Sequence, residues 1–288
     1  MDTVQRLIGL SPRRITVVNG GGTAFLNRNR LFPEGPARWW RGTLQLRALA
    51  DVAMRFDGGN AEAAFDYFRR VYTVAPGGRA DRFMLGILSE EEKVTIDAGV
   101  DEFVRDHLKD VADGRDGPEL VLRGGARHPV APGSVFVNCT GHLLRHHRPD
   151  VPCLSPGGAI LTVSPRAAVH FLSTASAYFL AHLFFLDRLQ AARLYELDLD
   201  SLSDEGNQLW YLTALAHTFH NTIRLMDVLP FRVLDRCGLD LDRWYPLPRR
   251  VAAFANIRLN RRRYLAHSAA ALQRVVAATG VRCGVVGE

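Results

Sequence analysis

The sequence predicts an α/β chain: strands and a glycine turn near the start, a β-meander in the middle and a largely helical C-terminal half. Three observations carry that prediction. β-Branched runs stand beside glycine turns at residues 15–22 and across residues 100–141. Apolar residues recur at helical spacing beyond residue 169, and a capping sequence opens a helix at Ser89. With 288 residues and 47% hydrophobic content, the chain can bury enough surface for one large domain or two ordinary ones.

Ile15-Thr16-Val17-Val18 reads as a short strand, and Gly20-Gly21-Gly22 as the turn that ends it. The glycines invite comparison with the phosphate-binding spacing G-x-G-x-x-G. Gly20 and Gly22 fill the first two places, but Phe25 stands where the third glycine lets a helix pack closely. The next residues, Leu26 to Pro33, lack a 3.6-residue apolar repeat, so no helix N-terminus is offered to a phosphate. Ser89 followed by Glu90-Glu91-Glu92 predicts a capped, short helix. From Val100 the pattern becomes short β segments, "VDEFVRD", "HLKDVAD" and "PELVLRG", broken by Asp113-Gly114 and Gly117-Pro118. After Gly124-Gly125 and "ARHPVAPG", an apolar strand is expected at Val135-Phe136-Val137, stopping at Asn138-Cys139-Thr140-Gly141.

Pro152 to Gly158 reads as a loop, and residues 159–163 as a short strand. Residues 169–186 carry no formally charged side chain, at the lower edge of the length that spans a bilayer. His170, Thr174, Tyr178 and His182 recur every four residues, a polar stripe that favours a buried helix over a membrane span. Beyond Asp187 the chain is mostly helical. Leu212, Ala216, Phe219 and Ile223 share one predicted face, with His217, His220, Asn221 and Arg224 on an exposed opposite face. Trp244 and Tyr245, held between prolines, are expected to pack on the body of the protein. A last helix is expected over residues 251–278.

The formal charge is +6, nearly all from arginines spread along the chain, with a dense cluster only at Arg261-Arg262-Arg263 and nearby Arg258. That spread does not favour nucleic acid as a partner. Cys139, Cys153, Cys237 and Cys283 fall singly, so neither zinc spacing nor a disulfide framework is expected. No nucleophile triad is visible. Met1-Asp2-Thr3-Val4-Gln5-Arg6 has no apolar signal core, which points to the cytoplasm.

The meander running into Asn138-Cys139-Thr140-Gly141 resembles the Ala-Thr-Gly segment of flavin-dependent oxidoreductases with two dinucleotide-binding domains, the flavin monooxygenase-like and pyridine-nucleotide-disulfide-oxidoreductase-like enzymes. In that group the segment links the domains and passes close to the flavin, where small residues let the main chain approach. The resemblance makes Asn138, Cys139, Thr140 and Gly141 candidate FAD contacts. It also implies incomplete Rossmann-like, FAD- and NAD(P)-binding domains. Residues 4–10 would finish a helix and residues 14–18 would form the second strand of a nicotinamide domain, whose end meets the adenosine ribose. Arg28 and Arg30 are the nearest arginines for a 2′-phosphate, and Gly157 and Gly158 are further flavin candidates. The polar stripe at residues 169–186 would then face substrate or flavin.

By this registration neither glycine fingerprint lies within the chain, which matches the C-terminal two-thirds of such an enzyme and reads as a truncated or remnant form. The implied parts are residues 1–98, the remainder of a nicotinamide domain; 99–165, the meander and flavin-domain-like segment; and 166–288, the helical region. The expected function is that of an FAD- and NAD(P)H-dependent oxidoreductase, monooxygenase-like, in which NAD(P)H passes hydride to FAD and the reduced flavin acts on oxygen or another acceptor; the partner is a small-molecule substrate, and no metal is expected. A second reading is a non-catalytic helical interaction protein, peripheral to membranes through residues 169–186 and the arginine cluster.

Overall fold

The computed structural model describes residues 1–10, 14–78, 80–115, 117–139, 152–237 and 241–287. It is mixed α/β with small sheets. Helix α1 (Asp2–Gly9) leads to strand β1 (Thr16–Val18), and the glycine turn to β2 (Thr23–Asn27). One helical turn, α2 (Arg28–Leu31), precedes helices α3 (Gln45–Arg55) and α4 (Ala61–Tyr72). Strands β3 (Thr73–Val74) and β4 (Arg82–Leu88) and helix α5 (Glu90–Gly99) follow. Next come β5 (Glu102–Val104), β6 (Leu108–Gly114), β7 (Gly117–Leu122) and β8 (Arg127–Pro129). The remainder holds α6 (Ser173–Phe185), α7 (Leu189–Ala192), β9 (Tyr195–Leu197) and α8 (Leu199–Leu202). It closes with α9 (Asn207–Val228), α10 (Phe231–Arg236), α11 (Leu247–Thr279) and β10 (Cys283–Val285). These elements sort into two compact units, Met1–Arg28 with Thr73–Leu143, and Asn29–Tyr72 with Leu144–Glu288.

In the first unit β1 pairs in parallel with β5, and β2 lies between antiparallel β3 and parallel β4. Strands β6, β7 and β8 form the antiparallel meander that the turn glycines predict, closing at Gly114 opposite Gly117. Leu120 and Leu122 of β7 are buried while Val121 between them is half-buried, the alternation of a strand with one covered face. Helix α5 begins as its sequence predicts. The Ser89 hydroxyl accepts from the Glu92 N–H at 3.0 Å, and the Glu92 carboxylate accepts from the Ser89 N–H at 2.7 Å. Gly99 admits Ile8, whose Cδ1 would stand 2.6 Å from an added Cβ, so α1 packs tightly on the end of α5. Ile15, Leu88, Ile96 and Val100 form the core there, with Leu7 and Ile8 against them.

Two strand expectations change in this unit. Residues 100–106 were expected to start the meander, but β5 pairs with β1 instead. Residues 135–137 form no strand: Val135 is 88% exposed, and Phe136 and Val137 are also open. Among the described residues no neighbouring strand pairs with them, and a lone extended segment keeps its N–H and C=O groups in water.

The second unit is built round α9, which α3, α4 and α11 pack against, with α7, α8 and β9 completing the cover. Phe219 and Leu212 have no exposed surface, each contributing about 1.5–3 kcal/mol by burial. The N-terminus of α3 is capped from far along the chain: Asp242 accepts from the Gln45 N–H at 2.6 Å and from the Leu46 N–H at 3.1 Å. Tyr245 is buried as expected, its hydroxyl donating to the Leu31 carbonyl at 2.6 Å. Gly58, at φ +95°, lets the chain pass α11, where a Cβ would come within 2.4 Å of the Ala271 carbonyl oxygen.

Full cover of α9 overturns one sequence expectation. His217, His220 and Asn221 are completely buried rather than exposed, because elements lie on both faces of the helix. Residues 169–186 also differ from the long helix expected. Helix α6 starts only at Ser173, and among the described residues no helix is long and apolar enough to cross a membrane. Two members of its polar stripe bond to protein carbonyls, and a third stands outside the helix. His170 lies before the helix, the Tyr178 hydroxyl donates to the Val233 carbonyl at 3.1 Å, and His182 bonds the Tyr178 carbonyl. Residues 159–163 make one bridge, Leu161 to Leu154, rather than a strand.

Candidate functional site

In the first unit the two strands of the parallel pair end on the same edge, and in open α/β sheets that carboxyl edge is where ligands settle. Pairing continues past the strands: the Asn19 N–H donates to the Val104 carbonyl at 3.1 Å, and the Gly20 N–H to the Asp106 carbonyl at 3.1 Å. The Gly22 N–H then closes a tight turn on the Asn19 carbonyl at 2.9 Å. Asn19, the glycine turn, Arg105, Asp106 and His107 therefore stand together at this edge. Its sequence cause is simple. The run Ile15 to Val18 ends at a residue that can stop a strand, and Gly20 supplies φ +58°.

The glycine turn does not form an open phosphate cradle. The His107 ring lies over Gly20, with Cε1 2.6 Å from where a Cβ would stand, and Asp81 lies 3.0 Å from the same point on Gly21. This agrees with the failed glycine spacing. Asp106 is committed to the local corner, accepting from the His107 N–H at 2.6 Å and the Gly124 N–H at 3.0 Å. One atom at the edge is left over. The Asn19 side-chain oxygen is buried and, among the described residues, has no hydrogen-bond partner. An acceptor left so costs about 1–3 kcal/mol, which is why such groups are nearly always paired with protein, water or ligand. Nothing in the residue pattern singled out Asn19 except its place at the end of the first strand.

Asn138 and Cys139 lie in the extended, exposed segment beyond the meander, with the Cys139 sulfur 3.8 Å from the Thr3 hydroxyl. Thr140 and Gly141 lie outside the described residues. Arg28 pairs with Glu92 at 2.9 Å, so its guanidinium steadies the cap of α5. Burial alone would raise the Glu92 carboxyl, but the Ser89 N–H and Arg28 hold it below the usual range. Gly157 and Gly158 belong to the other unit, where the Gly158 N–H bonds the Ser155 carbonyl at 2.8 Å in a turn open to solvent. Asn138 and Cys139 thus share a unit with Asn19 and Arg28, while the glycine pair does not.

No family model, curated protein or solved structure matches the chain. Its chemistry must therefore be argued from its own side chains.

The second unit contains a buried polar cluster that sequence periodicity placed on the surface. The Asn221 side chain ties three elements together. Its amide nitrogen donates to the Val169 and Tyr195 carbonyls, each at 2.7 Å, and its oxygen accepts from the Tyr195 N–H at 2.9 Å. His217 bonds the Tyr195 carbonyl through Nε2 at 2.7 Å, and His220 bonds the Ser268 hydroxyl through Nδ1 at 2.9 Å. The remaining ring nitrogens, His217 Nδ1 and His220 Nε2, have no partner among the described residues. Burial pushes His217 down to about 4 and His220 down to about 3, so both rings are neutral at neutral pH. Burial, with His217 nearby, likewise lowers His170 to about 3. Among the described residues no group of three or more His, Cys, Asp or Glu side chains is placed to hold a metal ion. The cluster cross-links α9, β9 and α11 rather than opening on a cleft.

Nearby, the Glu196 carboxylate joins Arg282 and the Cys153 N–H, the latter at 2.8 Å. Burial, reinforced by that carboxylate, pushes the Cys153 thiol up to about 12. It is an inert, protonated thiol, unsuited to nucleophilic or redox work.

Proposed function

We propose that the chain acts as a flavin- and nicotinamide-dependent oxidoreductase of the two-dinucleotide-domain type, with its first unit an incomplete Rossmann-like domain. The observation that carries the reading is the unpartnered Asn19 oxygen, buried at the carboxyl edge of a parallel strand pair. Support also comes from the order of elements: the parallel pair, the three-stranded meander and then the exposed segment at Asn138 and Cys139.

The residues fit part of a dinucleotide. An Asn19 oxygen without a donor suits a ribose hydroxyl, which brings the proton that the site lacks. The filled glycine turn does not suit a pyrophosphate, so that group is assigned no contact there. Asn138 and Cys139, followed in sequence by Thr140 and Gly141, form the stretch whose main chain would lie beside FAD. When bound, the cofactors would supply hydride transfer from NAD(P)H to the flavin, and the reduced flavin would pass its electrons on to oxygen or another acceptor. The chain's own part is to orient: Asn19 would accept from the ribose hydroxyl.

The experiment is spectroscopic. The purified protein is titrated with FAD and, separately, NADPH, following flavin absorbance and quenching of nicotinamide fluorescence. Binding of both is expected, with Asn19→Ala weakening NADPH about tenfold through loss of one hydrogen bond to a buried acceptor. Protein that takes up neither cofactor, or an Asn19→Ala variant that binds NADPH as the parent does, would refute the assignment.

A further inference from the structure

Helix α11 has seven arginines and no aspartate or glutamate in its 33 residues. One side faces the body of the second unit, burying Ala253, Ile257, Ala271, Leu272 and Val275. At 100° per residue the opposite side is centred near Ala255. That outward face is not the solvated polar surface expected of a bundle helix. Leu247, Val251 and Leu259 stand on it at 61%, 58% and 86% exposure, with Ala255 between them at the same four-residue spacing.

Arginines interleave with these aliphatic groups. Arg258 and Arg261 share Asp227, at 3.0 and 3.1 Å. Arg262 and Arg263 are exposed, and among the described residues no ion pair engages either of them. The apolar surface extends onto α10, where Phe231 is 60% exposed and meets Phe254 of α11 edge to face, with the Arg258 guanidinium 5.7 Å from the Phe254 ring.

Which partner meets both chemistries follows from elimination on these residues. A nucleic-acid backbone would satisfy the arginines but leave the leucines in water. A second copy packed through the same face would set arginine against arginine. The headgroup and acyl boundary of an anionic bilayer accepts aliphatic side chains and guanidinium groups together. We propose that the outward face of α11, centred on Leu247, Val251, Leu259 and Arg262, seats this protein on an anionic lipid surface, with the helix lying flat in the interface. Arginines along its length exclude a spanning arrangement for this helix. The inference stands apart from the flavin assignment and shares no residue with it.

The test is co-sedimentation of the full chain with phosphatidylcholine vesicles containing about one-third phosphatidylserine, a composition whose surface is strongly negative. Binding is expected to weaken as salt rises and to be lost on pure phosphatidylcholine. The Arg262→Gln, Arg263→Gln double variant should bind about thirtyfold more weakly, from two charges each contributing about a factor of five. A Leu247→Gln, Leu259→Gln variant should lose at least about tenfold. Both pairs are exposed, so each variant's urea unfolding curve should match that of the parent. The proposal is overturned by no partition onto anionic vesicles, by equal binding to neutral ones, or by folded variants that bind as the parent does. Capture by an acidic protein or by DNA without vesicle binding would overturn it equally.

Discussion

Acid should destabilise the second unit well before its carboxylates titrate. The perturbation is a change from pH 7 to pH 5, and the groups that answer are His217 and His220, both completely buried. Each has an ordinary value of 6.5, lowered to about 4 and about 3 by burial in the fold. The unfolded chain therefore binds more protons than the folded one below about pH 6.5, and stability falls as pH falls. Integrating that difference from pH 7 to pH 5 gives about 1.8 kcal/mol per ring, or about 3.7 kcal/mol for the two. His170, less buried than these two, acts in the same direction. Glu92 contributes only nearer its ordinary value of 4.5, where protonation removes its bonds to Ser89 and Arg28, so pH 5 isolates the histidines. Urea unfolding followed by circular dichroism at both pH values measures the loss. Equal midpoints at pH 7 and pH 5 would refute the reasoning, as would a His217→Leu, His220→Leu variant that kept the parent's pH slope.

Three further outcomes follow from the same structure. Asp242→Ala should cost about 1–2 kcal/mol in urea unfolding, because two N–H groups at the start of α3 lose their acceptors, and Asp242→Asn, with one acceptor oxygen in place of two, should recover about half of that. Ser89→Ala breaks the capping box of α5 and should cost about 1 kcal/mol, with faster hydrogen exchange in residues 90–93 as the local readout. In native protein Cys139 should react with a thiol reagent while Cys153, fully buried with its thiol pushed up to about 12, reacts only on unfolding.

The helix start at Ser89, the strand at residues 15–18 and the hairpins between residues 108 and 129 were legible because each depends on a few adjacent residues. Capping boxes, β-branched runs and turn glycines act over three to six positions, where one chain holds all the information. The strand expected at residues 135–137 shows where that stops. Its composition is that of a strand, but strand formation needs a hydrogen-bonding neighbour, and among the described residues none is offered. Arg28 was legible as a charge near a turn, yet Glu92 engages it from 64 residues away. Asn19 is not legible in the sequence because an orphaned acceptor is a property of everything around it.

Sequence by itself determined the local vocabulary: mixed α/β content, the meander, the capped helix, single unpaired cysteines and a last helix rich in arginine. Tertiary structure alone decided which faces are covered. A periodic pattern divides a helix into two sides but cannot count its neighbours, so α9 looked half exposed until helices closed over His217, His220 and Asn221 on both sides. The same limit worked in reverse on α11. Leu247, Val251 and Leu259 have the spacing of core residues, and only the packing of the opposite face shows that water meets them.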